Sequence, residues 1–266
     1  MKNIYSNIYS FNKKTLYKTV KSLKLGNIAS LPTETVYGLA GNAFKKKAIK
    51  KIFQLKKRPI RNPLIIHFFN IKNLGDEVVL NDNFYKLYKK FCPGPLTFVL
   101  KKNEKSKINS LATAGLNTVA IRFPSHKIIR SILKEINFPL AMPSANLSSN
   151  VSPVNAKDVA EEFGKNIKLI INGGKSKIGI ESTVIDLTGN PKLLRPGIVG
   201  PEIINSFLKL SITRKSLKKG HKINEEDICL KRSSINTPVY ELNDAIGKIL
   251  TVDKEQNFPI SVNEIN

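Results

Sequence analysis

Cysteine, histidine, arginine and acid are all scarce in this chain. Cys92 and Cys229 are the two cysteines in 266 residues. They stand far apart, which excludes a disulfide framework and points to a reducing, cytoplasmic setting. His67, His126 and His221 are as scattered as the cysteines, so zinc-ligand spacing is absent and no metal site is expected. No apolar run approaches the ~20 residues of a spanning helix. The opening MKNIYSNIYSFNKK lacks the continuous apolar segment of a secretory signal, so neither a membrane nor an export route is expected. Dinucleotide-binding G-x-G-x-x-G and the G-x-S-x-G nucleophile elbow are both missing. GGKS at Gly173–Ser176 ends like a phosphate-binding P-loop, but Leu169 stands where that loop needs glycine.

What is present is lysine. Lys and Arg number 44 against 20 Asp and Glu, a formal net charge of +24, and 37 of the 44 are Lys. Only seven arginines are available for bidentate reading of phosphates or bases. The excess therefore has two readings, RNA affinity or the imprint of an AT-rich genome's codons. Residues 1–210 carry +23 and residues 211–266 carry +1, which predicts a large basic domain over 1–210 and a small, nearly neutral one over 211–266. A hydrophobic content of 41% is enough for a real core.

The first 210 residues alternate in pattern. Leu16, Val20 and Leu23 recur at helical spacing before Gly26, and Ala48–Leu55 is amphipathic up to the break at Pro59. Further helices are predicted around Phe84–Phe91, Lys127–Ile136 and Ala156–Phe163. Ile28–Leu31, PLIIHFF, PLTFVL, TVAIRFP, FPLAMPSAN, IKLIING and STVIDLT read as buried strands. The expected fold is α/β with a mixed sheet.

Short polar segments follow these strands. PTET (Pro32–Thr35) holds two hydroxyls and a carboxylate; its plain reading is a helix cap. KKRPIRNP (Lys56–Pro63) groups Lys56, Arg58 and Arg61, either as a solvated helix end or as a polyphosphate clamp. Arg122 in AIRFP and Arg195 in LLRPG lie in apolar frames, where an arginine needs an anionic partner. PSAN (Pro143–Asn146) and GIEST (Gly179–Thr183) add hydroxyl and amide groups. Together they predict a cavity for an anionic ligand.

PTETVYGLAG, KKRPIRNPLIIHF, CPGPLTFVL, AGLNTVAIRFP, PSANLS, GIESTVIDLT and LLRPG, in this order, resemble the YrdC-type threonylcarbamoyl-AMP synthases over roughly residues 15–208. The resemblance implies a twisted α/β sheet with a concave, positively charged cavity. It also implies synthesis of L-threonylcarbamoyl-AMP and pyrophosphate from L-threonine, bicarbonate and ATP, with Mg²⁺ carried mainly by the ATP phosphates. A partner transferase would then modify tRNA. By the same resemblance Thr35, His67, Arg122 and Ser182 hold L-threonine, and Arg122 meets its carboxylate. Arg58, Asn62, Thr118, Ser144, Ser152 and Arg195 contact ATP, and Lys56 with Arg58 forms the catalytic Lys-x-Arg pair. The competing reading is a non-catalytic RNA-binding protein on the same fold. Residues 211–266 resemble the SAF (antifreeze-like) domain of sialic acid synthases, with Arg232–Pro238 departing from that pattern.

Overall fold

Asn12 starts the first helix. Its side-chain oxygen accepts from the Thr15 N–H, and Thr15 Oγ1 accepts from the Asn12 N–H, so two end donors are satisfied reciprocally. In the computed structural model, which describes residues 5–72, 74–205, 210–213, 216–231, 245–254, 260 and 262–266, β1 (Ile8–Ser10) precedes this helix, α1 (Lys13–Lys24). Gly26 then turns the chain at φ 76°, a conformation glycine adopts without penalty. β2 (Ala29–Leu31) and β3 (Gly38–Asn42) pair antiparallel, and both are fully buried. α2 (Lys46–Lys56) closes at Lys57, which is left-handed at φ 49°.

The chain continues through β4 (Ile65–His67), α3 (Asp82–Phe91), β5 (Leu96–Lys101), β6 (Thr118–Arg122), α4 (Lys127–Glu135) and β7 (Leu140–Ala141). Next come α5 (Ala156–Phe163), β8 (Ile170–Asn172), β9 (Thr183–Asp186), β10 (Lys192–Arg195) and α6 (Pro201–Asn205). Ten strands form one mixed sheet in the order β1-β8-β2-β3-β7-β4-β6-β5-β9-β10.

Alternate strand residues feed two cores. Leu39, Ile66, Phe98 and Ile121 join α2, α3 and α5 in the larger core, centred on the Phe84, Phe98 and Phe123 rings. Ala40, Leu140 and Ile171 point the other way and pack under α1 and α4. Burial on both faces explains why the strands read as near-continuous apolar runs. α1 and α4 pack over the β8-β2-β3-β7 part of their face. Where that face runs on to β4 and β6 it presents Ile65, His67 and Arg122, which floor a cavity.

Several local expectations change. PTETVYGLAG, assigned to no element, contains all of β3 but Asn42, and β1 and β10 are strands that the apolar pattern passed over. FPLAMPSAN keeps a strand of two residues. The helix-like PEIINSFLKL is helical over Pro201–Asn205, and its last residue, Leu210, already opens β11 (Leu210–Thr213). β11 pairs antiparallel with β12 (Ile228–Lys231) in a separate two-stranded sheet. Leu217, Ile223, Ile228, Ala245, Leu250 and Ile260 form a small core of their own. Arg232–Pro238 lies outside the described residues.

Candidate active site

The PTET segment folds as a hydroxyl-braced turn. Thr33 Oγ1 accepts from the N–H groups of Thr35 and Val36 at 3.2 Å each, and donates to the Val36 carbonyl at 2.6 Å. That turn aims Thr35 Oγ1 at β6, where it accepts from Arg122 at 2.8 Å. Arg122 also donates to Glu34 Oε1 at 2.7 Å, and the other Glu34 oxygen accepts from the Ser125 N–H at 2.9 Å. Burial alone would raise the Glu34 pKa, but the Arg122 charge and these hydrogen bonds bring it below the ordinary carboxylate range. Burial beside this pair pushes the Cys92 thiol up to about 12, so it is a protonated packing group.

His67 sits opposite Arg122 in the parallel register of β4 and β6. It is buried, its Nδ1 lies 3.3 Å from the Ile65 carbonyl, and its Nε2 has no hydrogen-bond partner in the protein. Burial, then the Arg122 charge, hold its pKa well below the usual histidine value, so the ring is neutral. With the Nδ1 proton on the Ile65 carbonyl, Nε2 is left as an acceptor. Ser182, just before β9, is fully buried; its hydroxyl lies 2.8 Å from Thr97 Oγ1 and accepts from Arg195 at 3.0 Å. Thr33, His67, Arg122 and Ser182 line a cavity of about 70 Å³, room for about five water-sized groups. Gly38 lines it too. A methyl there would come within 2.5 Å of Met142 Cγ, so the wall closes only without a side chain.

A larger cleft of about 560 Å³ adjoins it, lined by Lys56, Arg58, Asn62, Ser144, Ser152 and Glu181. Arg58, Ser144 and Glu181 border both spaces. Arg58 is braced by the carbonyls of Asn62 and Pro63 at 3.1 and 3.0 Å. Arg195 pairs with Glu181, and Ser152 donates to Glu181 Oε1 at 3.2 Å. Lys56 is 1% exposed, and its ammonium donates to the carbonyls of Ser144, at 2.6 Å, and of Asn146. Burial, reinforced by the Arg58 charge, brings its pKa down to about 8. Lys56 thus props the Ser144–Asn146 loop from below, while Arg58 faces the cleft.

The structure therefore brings Thr35, His67, Arg122 and Ser182 together, with Lys56, Arg58, Asn62, Ser144, Ser152 and Arg195 alongside. Thr35, which reaches the site through its hydrogen bond with Arg122, borders neither space, and nor does Thr118. Thr118 shares the Arg122 face of β6, four residues and about 13 Å along the strand. Two carboxylates were not singled out from the sequence, Glu34 and Glu181. Each directly precedes a predicted ligand, Thr35 or Ser182, and each partners one of the two arginines in apolar frames. The need of those arginines for an anion was the available signal. Among the described residues no three His, Cys, Asp or Glu converge as metal ligands. Both Glu181 oxygens are already engaged.

Residues 21–197 match the Sua5, YciO and YrdC family model, described as "Telomere recombination". The chain is 47% identical over 179 residues to a threonylcarbamoyl-AMP synthase of Pyrococcus abyssi, covering 66% of this chain and 52% of that one. It is 39% identical over 201 residues to the enzyme of the same name from Bacillus subtilis, covering 75% and 58%. The chain thus spans about half the length of these curated relatives. The crystal structure of P. abyssi Sua5 complexed with L-threonine superposes with a TM-score of 0.69 at 42% identity, covering 71% of this chain and 57% of that one.

Proposed function

The chain belongs to the Sua5, YciO and YrdC family, and from that premise we propose that it makes L-threonylcarbamoyl-AMP and pyrophosphate from L-threonine, bicarbonate and ATP. The observation that carries this reading is the adjacency of two unlike spaces. A small pocket combines Arg122, the acceptor Nε2 of neutral His67 and the hydroxyls of Thr33 and Ser182, with Thr35 behind Arg122 as its hydrogen-bond partner. A wider cleft beside it offers Arg58, Ser144 and Ser152, and Arg195 stands on the pocket side, paired with the Glu181 that borders both. The first suits an amino acid with a carboxylate and donor groups, the second a triphosphate. Thr118, farther along the same sheet face, is assigned to the far end of ATP.

In this reading the threonine nitrogen bonds to the bicarbonate carbon with loss of water, giving a carbamate. A carbamate oxygen then bonds to the α-phosphorus of ATP as the bond from that phosphorus to the β-bridging oxygen breaks, and pyrophosphate leaves. Such a transfer needs alignment and charge neutralisation and no covalent nucleophile on the protein. Arg58 and Arg195 supply charge at the phosphates. Lys56, the other catalytic candidate, supplies charge from beneath and holds the Ser144–Asn146 loop in place. The donor set does not suit a protein-held metal ion, so Mg²⁺ is assigned to the nucleotide phosphates. A tRNA-modifying transferase would consume the labile product, and the lysine-rich surface suits contact with tRNA. We read residues 211–266 as an SAF-like module, a reading supported by their separate β-ribbon and small core. No helix among the described residues is long and apolar enough to cross a membrane.

The test is threonine-dependent release of pyrophosphate from ATP and bicarbonate. Wild-type protein should produce it with the adenylate, and Arg58→Ala and Lys56→Ala should not. Wild type that releases no threonine-dependent pyrophosphate overturns the assignment.

A further inference from the structure

Two of the three arginines of the site, Arg122 and Arg195, are held by the same device. Arg122 donates to Glu34 and to the hydroxyl of the next residue, Thr35. Arg195 pairs with Glu181 and donates to the hydroxyl of the next residue, Ser182. Their surroundings differ. The Glu34 side chain is 8% exposed and its second oxygen is fixed by the Ser125 backbone, so it is a permanent part of the wall. Glu181 and Arg195 are each 35% exposed, and besides Arg195 the Glu181 carboxylate is held by side-chain hydroxyls, that of Ser152 at 3.2 Å and that of Ser144, with no backbone N–H among the described residues fixing it. A partly hydrated ion pair of this kind is weak and exchangeable.

Glu181 also stands in a telling place. It borders both cavities, among Arg58, Arg195, Ser144 and Ser152. Those are the groups that the nucleotide reading assigns to phosphate. A carboxylate and a phosphate cannot share them without repulsion. A polyphosphate brings more charge and a geometry that arginine binds bidentately, so it wins the exchange.

We propose that Glu181 is a displaceable internal counter-ion: it occupies the phosphate-facing side of Arg195 in the empty site, is expelled by the β- and γ-phosphates of ATP, and by returning helps eject product pyrophosphate. This rests on the nucleotide reading above and adds a determinant of phosphate affinity that acts through Arg195. Its cost is borne in binding, since the carboxylate weakens the site for the anions it must admit and release.

The experiment is calorimetric titration of pyrophosphate into wild type and Glu181→Gln, paired with a crystal soak of wild type in pyrophosphate. Glutamine is isosteric, and the pair is open to water, so the variant should fold. Removing one unit charge at contact distance in a partly solvated site should tighten pyrophosphate binding about tenfold and deepen product inhibition to match. The soak should show Arg195 on phosphate oxygens and Glu181 beyond ion-pair distance. Pyrophosphate bound no tighter, or more weakly, by Glu181→Gln overturns the inference alone, as does an intact Glu181–Arg195 pair beside bound pyrophosphate. Wild type that binds neither pyrophosphate nor ATP overturns the nucleotide reading together with it.

Discussion

Replacing Glu34 by glutamine should cost far more than loss of a surface charge. The Glu34 and Arg122 side chains are 8% and 5% exposed, so the guanidinium left behind hydrates only through the small cavity it lines. Breaking a buried pair from one side costs about 3–5 kcal/mol, against about 0–1 kcal/mol for an exposed one. Glutamine keeps one acceptor for Arg122, which puts the expected loss near the lower bound, about 3 kcal/mol. At a urea m-value of about 2–3 kcal/mol/M that moves the midpoint down by about 1 M or more. L-threonine binding, measured by calorimetry, should fall with it, because Arg122 loses the brace that aims it. Glu34→Leu with Arg122→Met removes the uncompensated charge and should recover most of the stability, yet none of the binding. The acid limb supplies a second check. Glu34 has a folded pKa below its unfolded value, so its contribution is present above the unfolded carboxylate value of about 4.3. It is lost as pH falls through the lower folded value, and Glu34→Gln should flatten that limb. A variant within about 1 kcal/mol of wild type, or a double variant less stable than the single, would refute the buried-pair argument.

Lys56 titrates near pH 8 in the folded protein, below its unfolded value of about 10.4, so the kcat/KM for ATP should decline above about pH 8; a flat profile contradicts its role as a charge. Because the unfolded chain binds the proton more tightly, the wild-type urea midpoint should rise relative to that of Lys56→Met between pH 8 and about 10.4. Ser182→Ala strands the buried Thr97 hydroxyl and one Arg195 donor, and should cost about 1–3 kcal/mol in denaturant titration along with threonine affinity. Phe84→Ala empties the centre of the ring cluster on the opposite side of the sheet. It should cost about 3–5 kcal/mol while leaving threonine affinity of the folded protein unchanged.

Much of this was legible because it is local. Apolar runs buried on both faces announced most of the sheet, and Pro59 announced the end of α2. β3 escaped because GLAGN is small and glycine-rich, with no β-branched or aromatic residue to mark a strand. β10 escaped because its leucines are 37% and 50% exposed; the edge strand exists through its pairing with β9 and not through burial. Lys56 and Arg58 look like one clamp in sequence, but the left-handed turn at Lys57 sends Lys56 under the loop and leaves Arg58 at the cleft.

From the sequence by itself came the inventory: which hydroxyls, cations and strands exist, in an order specific enough to name a family, and that Arg122 and Arg195 must each find an anion. Tertiary structure alone decided which anion each one meets. Glu34 reaches Arg122 across 88 residues, sealed from water, while Glu181 meets Arg195 in a half-open cleft. The strength of a charge pair depends on separation and hydration, and both are set by how distant strands pack.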